Sequence, residues 1–124
     1  MSDYKVKEWK NIKVKGNDVD LYALLQENPV VVYVDANHLR TYTQGVIKPS
    51  QCGDYLNHVV LLTGFSKGTD EMNGPLPYFT LQNSWGVSWG EKGLFRVEYG
   101  MDTCGIADIA SYPVIDATSI PMVN

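Results

Sequence analysis

The residues best suited to chemistry are a histidine and an asparagine, His58 and Asn83. An imidazole that is hydrogen-bonded to a side-chain amide is fixed in its tautomer and ring orientation, as a general acid or base requires. Such a pair becomes catalytic only with a nucleophile, in the arrangement Cys-His-Asn. The alternative interpretation is structural: a histidine at a strand edge that is satisfied by a neighbouring amide.

Asn83 lies in a stretch of unusual composition, Gln82–Gly90, which holds two of the three tryptophans and two of the eleven glycines. On composition alone it is typical of a strand end followed by a tight turn, where glycines supply unusual backbone angles and indoles cover the core. Trp85 follows Asn83 by two residues. It is therefore placed to cover a His–Asn pair and exclude water.

The chain has two cysteines, Cys52 and Cys104, far apart in sequence. A disulfide between them would close a long loop and contribute about 4 kcal/mol. Two separate buried thiols fit the count equally well. A zinc site that adds His38 and His58 is disfavoured, because no pair has the close spacing of structural zinc ligands. We expect no metal and no cofactor.

Composition indicates one globular domain, residues 1–124. The chain is 44% hydrophobic and 19% charged, and no apolar run approaches the roughly 18–20 residues that cross a bilayer. The net charge is −4, although five of the ten basic residues lie in the first fifteen positions. Lysines that alternate with apolar residues favour the solvated face of a strand, so we expect neither nucleic-acid nor membrane binding.

One short helix is predicted between Asn17 and Asn28. Asn17 or Asp18 can cap its start, apolar residues recur at helical spacing, and Pro29 disfavours helical geometry in the residue before it.

Strands account for most of the remaining regular structure. Val30–Val34 is a continuous β-branched run that predicts a strand buried on both faces or nearly so. Asp35–Tyr55 is predicted to be irregular and Ser66–Pro77 to be a surface loop. Residues Tyr4–Lys15 are extended in character, and the other predicted strands are His58–Phe65, Tyr78–Asn83, Leu94–Tyr99 and Ala110–Ile115. The number of predicted strands against one short helix predicts an α+β, mostly β domain built as an antiparallel barrel or sandwich with one helix.

The two strands that flank the Ser66–Pro77 loop bring His58 and Asn83 together. In an antiparallel hairpin, residues equidistant from the turn face one another. The midpoint of the loop and the midpoint of His58 and Asn83 agree within one residue. We therefore expect these two side chains to lie close to each other.

Three motifs follow one another along the chain: Asn57–Phe65, then Gln82–Gly93 with its two Trp-Gly pairs, then Cys104–Ala107 with Ala110–Val114. In this order they resemble the C-terminal half of a papain-family cysteine peptidase of cathepsin L type. The resemblance covers about Asn17 to Ile115. It implies the right-hand, barrel-like lobe of the papain-like fold, with one short helix.

Carried over residue by residue, the resemblance implies roles for the histidine and its surroundings. His58 becomes the catalytic histidine and Asn83 the residue that orients it. Trp85 becomes the indole that shields their hydrogen bond. Trp89 lies toward the leaving-group side of the cleft.

The resemblance also implies a disulfide between Cys52 and Cys104, and hence an oxidising compartment. His38 matches a non-catalytic histidine of the family. The pocket for the second residue before the scissile bond would be apolar, and narrower than usual if Tyr33 points into it. Its implied members are Tyr33, Leu56, Asn57, Val59 and Ile109.

The family's nucleophile is expected roughly 130 residues or more upstream of the histidine, which lies before Met1. We therefore predict that an N-terminal lobe carries it and pairs noncovalently with this chain, and that the chain alone has no peptidase activity. The resemblance implies peptide substrates, propeptide or cystatin-like inhibitors, and a lysosomal, vacuolar or secreted location. The alternative is a non-catalytic module that binds peptides or inhibitors through the same cleft wall.

Overall fold

The computed structural model describes residues 6–68 and 76–115. These residues form one α-helix and seven strands, which confirms the predicted α+β, mostly β class. The helix α1 spans Asp18–Glu27, and the strands are β1 (Val6–Lys13), β2 (Val30–Val34), β3 (Val46–Ile47), β4 (His58–Ser66), β5 (Tyr78–Gln82), β6 (Leu94–Glu98) and β7 (Ile109–Ile115). Three short 3₁₀ helices span Leu39–Thr41, Pro49–Gln51 and Thr103–Gly105.

The strands form one sheet in the order β1-β7-β2-β4-β5-β6-β3. Neighbouring strands are antiparallel except β3 and β6, which are parallel. Within the described residues, β1 and β3 are edge strands that pair on one side only. The lobe is therefore one mostly antiparallel sheet with one helix, as predicted for a barrel-like lobe, and over the described residues the sheet is not closed.

The five predicted strands agree with the structure to within one residue at each end, and β1 lies within the segment predicted to be extended. In β1 the side chains of Lys10 and Lys13 are exposed, as the alternation with apolar residues predicted. The two-residue strand β3 lies in the segment predicted to be irregular. Of the predicted Ser66–Pro77 loop, residues 69–75 lie outside the described residues.

The helix begins and ends where its capping residues predict. The Asn17 side chain accepts hydrogen bonds from the backbone N–H groups of Val19 and Asp20, at 3.0 and 3.2 Å. The helix ends at Glu27, and its C-cap Asn28 has an extended backbone that leads into Pro29. Leu21 faces the core and has no exposed surface. The helix thus covers one face of the sheet.

The two faces of the sheet differ in burial. Val30, Val32 and Val34 of β2 are fully buried in the core, whereas Val31 between them is only half-buried. The strand was predicted to be buried on both faces or nearly so; its inner face is fully buried and its outer face only partly, because the helix and the core pack on the inner face alone. On the neighbouring strand β4 the outer face is also apolar: Val59 is 49% exposed and Leu61 is 37% exposed.

Candidate active site

His58 is the first residue of β4, where it pairs with Val34 of β2. Asn83 directly follows β5 and is held there by its backbone N–H, which donates to the carbonyl oxygen of Gly93 at 3.0 Å. The ends of two adjacent strands therefore present the imidazole and the amide at the same edge of the sheet.

The predicted closeness of these two residues is confirmed, although they are not opposite one another. His58 Nε2 lies 2.8 Å from Asn83 Oδ1. The β4–β5 register pairs Leu61 with Gln82, so one step further Asn83 falls beside Val60, two residues from His58. Side chains at such diagonal positions share a face and remain within reach. The loop midpoint thus places Val60 opposite Asn83, as observed, and His58 is the neighbour two residues away.

The hydrogen bonds of Asn83 fix the tautomer of His58. The backbone N–H of Ser84 donates to the same Oδ1 at 2.7 Å, so this atom is the amide oxygen and acts as an acceptor. His58 Nε2 must then carry the hydrogen that it shares with Oδ1. Its other ring nitrogen, Nδ1, is left with the lone pair. The ring is thereby prepared to accept a proton at Nδ1.

The amide itself is buried. Asn83 is 6% exposed, and its Nδ2 has no hydrogen-bond partner among the described residues. Turning the amide over would bring Nδ2 against the Ser84 N–H, donor facing donor. The orientation of Asn83 therefore depends on Oδ1 alone.

Trp85 packs on the imidazole of His58, and Trp89 packs on Trp85. The ring centroid of Trp85 lies 5.0 Å from that of His58, with the planes tilted by 31°. Trp89 meets Trp85 edge-on at 5.3 Å. Trp85 remains 37% exposed, so one of its faces is open while the other covers the imidazole. An indole in this position excludes water from one side of the ring.

The turn that carries the indoles is anchored from below. Trp89 Nε1 donates to the carbonyl oxygen of Leu39 at 2.9 Å, and its ring packs edge-on against Phe95. Gly90 has a φ of +62°, and a Cβ there would lie 2.7 Å from the carbonyl oxygen of Leu94. Only glycine fits that position.

An ion pair between Arg96 and Glu91 holds the end of the same turn. Arg96 donates from Nε and Nη2 to the two carboxylate oxygens of Glu91, at 2.8 and 2.7 Å. The Gly45 N–H donates to the same carboxylate at 3.1 Å. The hydrogen bonds from Arg96 hold the pKa of Glu91 below its usual range. Sequence reasoning missed this pair, which is visible only as two opposite charges five residues apart.

The residues implied for the substrate pocket form a row on the outer face of three strands. Tyr33 of β2 pairs with Val59 of β4. On its other side, β2 pairs with β7 through Val31–Ser111 and Val32–Ala110, and one further step puts Ile109 beside Tyr33. The structure thus brings Tyr33, Val59 and Ile109 together.

The remaining two implied pocket residues lie in the segment before β4. Leu56 contacts the backbone near Gly105, where a Cβ would come within 2.5 Å of Leu56 Cδ2. The Asn57 side chain is engaged in hydrogen bonds: its Oδ1 accepts from the Ala36 N–H at 2.9 Å, and its Nδ2 donates to Asn37 Oδ1 at 3.3 Å. Asn57 therefore fixes the chain beside His58.

Cys52 and Cys104 are joined in a disulfide, with their Cα atoms 5.0 Å apart. The bond excludes the alternatives of free thiols and of zinc ligation by these sulfurs. It also leaves no free cysteine in the chain, so His58 Nδ1 has no thiol partner within these 124 residues. The exposed His38 precedes the 3₁₀ helix Leu39–Thr41 and is not part of the His58 cluster.

A group of aspartates surrounds the segment that carries Cys104. Asp18, 4% exposed, accepts hydrogen bonds from the backbone N–H groups of Gly100 and Asp102, yet burial raises its pKa. Burial and a hydrogen bond with Asp108 raise the pKa of Asp102 to about 7. These carboxyl groups tie the disulfide segment to the start of α1.

Within residues 6–68 and 76–115, no three His, Cys, Asp or Glu side chains are grouped so as to hold a metal ion. The ten-residue helix α1 is too short to span a bilayer, and no other described helix is long and apolar enough to do so.

Comparison with known proteins gives consistent matches. A sequence profile described as papain family cysteine protease matches residues 2–114. The thiol protease aleurain of Arabidopsis thaliana is 38% identical over 109 residues, which cover 85% of this chain and 29% of that protein. Human cathepsin O is 44% identical over 89 residues, covering 72% of this chain and 26% of that protein.

A solved structure extends the match to three dimensions. The bromelain protease of Ananas comosus, in complex with the E64 inhibitor, superposes with a TM-score of 0.76 at 32% identity. That superposition covers 90% of this chain and 51% of the bromelain chain. The chain thus spans about half of the solved protease and between about a quarter and a third of the curated relatives it matches.

Proposed function

Because this chain belongs to the papain family of cysteine proteases, we propose that it is the family's C-terminal lobe and contributes His58 and Asn83 to thiol-dependent hydrolysis of peptide bonds. The nucleophilic cysteine then lies on an N-terminal lobe outside these 124 residues. The observation that carries the proposal is the hydrogen bond from His58 Nε2 to Asn83 Oδ1, which leaves Nδ1 free to accept a proton.

In the proposed reaction His58 Nδ1 takes the proton of the cysteine thiol, giving a thiolate–imidazolium pair. The thiolate sulfur attacks the peptide carbonyl carbon, and the C–N bond breaks as His58 gives its proton to the leaving amine. Water then attacks the acyl–sulfur bond while His58 takes its proton, which releases the acid and restores the thiolate and imidazolium. Asn83 keeps the ring aligned at every step, and Trp85 limits competition from water.

The N-terminal lobe is the partner that we propose for the outer face of the sheet. Val59 and Leu61 are exposed there beside half-buried Val31, and a shallow cavity of about 320 Å³ lies between them and Asn83. Apolar side chains so exposed are typical of a surface that another protein segment covers. The pairing is noncovalent, because both cysteines of this chain are already bonded to each other.

Peptides are the substrates that we propose, with the row Tyr33–Val59–Ile109 selecting an apolar side chain. The same cleft wall would bind propeptide or cystatin-like inhibitors. Two comparisons support this assignment: the solved bromelain structure contains the E64 inhibitor, and a procathepsin L 3 of Tenebrio molitor superposes with a TM-score of 0.73 at 35% identity. We propose a lysosomal, vacuolar or secreted location, since a disulfide persists in oxidising compartments.

The test is to refold the chain together with a separately expressed N-terminal half of bromelain and to measure hydrolysis of a dipeptidyl reporter. We expect no hydrolysis from the chain alone and alkylator-sensitive hydrolysis from the pair. His58→Ala should lower the activity of the pair by about 10²-fold or more, because the general base is lost. His38→Ala is the matched control and should leave it unchanged. Equal activity of the His58→Ala and parent pairs would refute the assignment.

A second candidate function is favoured by the engagement of both cysteines in the disulfide. A chain without a nucleophile can serve as a non-catalytic module that binds peptides or inhibitors through the cleft wall. This function predicts that the chain alone binds a propeptide and that addition of the N-terminal lobe restores no hydrolysis. Titration of the chain with a propeptide, measured by calorimetry, separates the two functions.

A further inference from the structure

The chain reaches His58 through a segment without regular secondary structure, residues 52–57. Its middle is on the surface, since Tyr55 is 71% exposed. The direction from which the chain enters β4 at His58 therefore depends on contacts that tie this segment to the rest of the lobe, in addition to the pairing of His58 with Val34.

A buried carboxylate supplies the main contact. Asp35, the residue after β2, is 3% exposed. Its Oδ2 accepts from the Tyr55 N–H at 3.1 Å, and its Oδ1 accepts from the Asn37 N–H at 2.9 Å. Both outer atoms of the side chain act as acceptors, which a carboxylate allows and an amide does not.

Gly53 leaves space for this carboxylate, and the backbone of Asp35 contacts both cysteines of the disulfide. A Cβ on Gly53 would lie 2.6 Å from Asp35 Oδ2, so the side chain occupies space that only glycine leaves open. The Asp35 N–H donates to the Cys104 carbonyl oxygen at 2.8 Å, and Cys52 Sγ lies 3.4 Å from the Asp35 carbonyl oxygen. Asp35 thus joins the end of β2 to both halves of the disulfide.

Among the described residues, backbone N–H groups, and no cationic side chain, compensate the buried Asp35 carboxylate. A buried carboxylate is expensive to desolvate, and no lysine or arginine forms a salt bridge with Asp35 in the described parts of the chain. Its compensation comes from charge-assisted hydrogen bonds with backbone N–H groups. One of these groups, that of Tyr55, is only three residues before His58.

Asn57, the residue before His58, makes a second set of contacts that hold the segment in place. The Asn57 N–H donates to the Val34 carbonyl oxygen at 3.1 Å, and Asn57 Oδ1 accepts from the Ala36 N–H at 2.9 Å. The segment is therefore held at Tyr55 and at Asn57, on the two sides of Leu56. The pairing of His58 with Val34 and these contacts together position the backbone of His58, and Asn83 then sets the angle of the ring.

We infer that Asp35 is a positioning residue for His58: its carboxylate fixes residues 53–57 so that the imidazole meets Asn83. The inference rests on the proposed function only for what His58 does, because the geometry of the ring can be measured without any catalysis.

The test is NMR of the ¹⁵N-labelled 124-residue chain, in which His38 is an internal control for His58. In the parent, long-range ¹H–¹⁵N correlations should show His58 in the Nε2–H tautomer and His38 averaged between tautomers. Asp35→Ala should move the His58 nitrogens toward averaged values and speed amide exchange at both Tyr55 and Asn37 by about tenfold or more.

Asp35→Asn is the sharper variant, because it keeps the shape of the side chain and only one acceptor oxygen. We expect exchange to accelerate at one of the two N–H groups and the His58 tautomer to shift only partly. Asp54→Asn is the matched control, since it removes the same charge from an exposed position in the same segment. If Asp35→Ala does not fold, the Asp35→Asn variant alone tests the inference.

An unchanged His58 tautomer in a folded Asp35→Asn variant with accelerated exchange at Tyr55 would overturn the inference, as would an equal effect of Asp54→Asn. This outcome is distinct from failure of the proposed function, which is read from hydrolysis by the paired lobes.

Discussion

Opening the Cys52–Cys104 disulfide should remove a large part of the stability of this lobe. The two cysteines are 52 residues apart in sequence. Loop-closure entropy for a loop of that length corresponds to about 4 kcal/mol at 25 °C. Domains of this size are stable by only about 5–15 kcal/mol, so the opened chain should be close to unfolding.

The assay is urea unfolding of the parent, of the parent in reductant, and of a Cys52→Ser/Cys104→Ser double variant. The two routes to an open loop should agree within about 1 kcal/mol. The m-value should rise when the loop opens, because the denatured chain then exposes more surface, so extrapolated free energies are compared instead of midpoints.

Intact mass provides the control for this experiment. Alkylation of the parent without prior reduction should add no alkyl group, and alkylation after reduction should add one to each cysteine. A loss of less than about 1 kcal/mol on opening a bond proven present by mass would refute the entropic reasoning.

Three further perturbations have defined outcomes. Folding raises the pKa of Asp102 from 3.8 to about 7, so the folded state favours the protonated carboxyl group. The stability that this shift contributes is fully present below pH 3.8 and is lost as the pH rises through about 7. Urea unfolding should therefore show the parent losing stability across that range more steeply than Asp102→Asn, and identical slopes would contradict the argument. Asn17→Ala should cost about 1 kcal/mol by removing the N-cap, whereas Asn17→Ser should cost little, as measured by thermal unfolding. Trp85→Ala should speed exchange of the His58 Nε2 proton with water, while Trp85→Phe retains an aromatic cover; equal exchange rates in both variants would argue against shielding.

The sequence was sufficient for the parts of the fold that local rules determine. The Asn17 cap and Pro29 bound the helix, and alternating or continuous apolar runs between turn residues located β2 and β4 to β7. The strand β3 was missed because two residues carry no periodic signal, and their pairing with β6 is a long-range parallel contact. The loop midpoint gave the hairpin register near Asn83, but the irregularity between Leu62 and Gly64 has no sequence signature.

The candidate site was predictable where the type and spacing of residues alone indicate a chemical role. His58 and Asn83 stood out by type and spacing, and the structure brings them into hydrogen-bond contact. Asp35 did not stand out, because its importance arises from two backbone N–H groups in segments that meet only after folding. The outer face of β2 is less buried than the inner face because a continuous β-branched run does not show which of its faces the core covers.

The order of strands in the sheet has a consequence for how the lobe folds during synthesis. Among the described strands, the first, β1, pairs only with β7, and β7 is also the neighbour of β2. A side-chain hydrogen bond between Asn11 and Ser111 spans 100 residues of sequence. Contacts of such high sequence separation slow folding, because a long loop must close before they are made. On the ribosome, one edge of the valine-rich strand β2 therefore stays unpaired until β7 emerges, and this nascent chain is the species most exposed to aggregation.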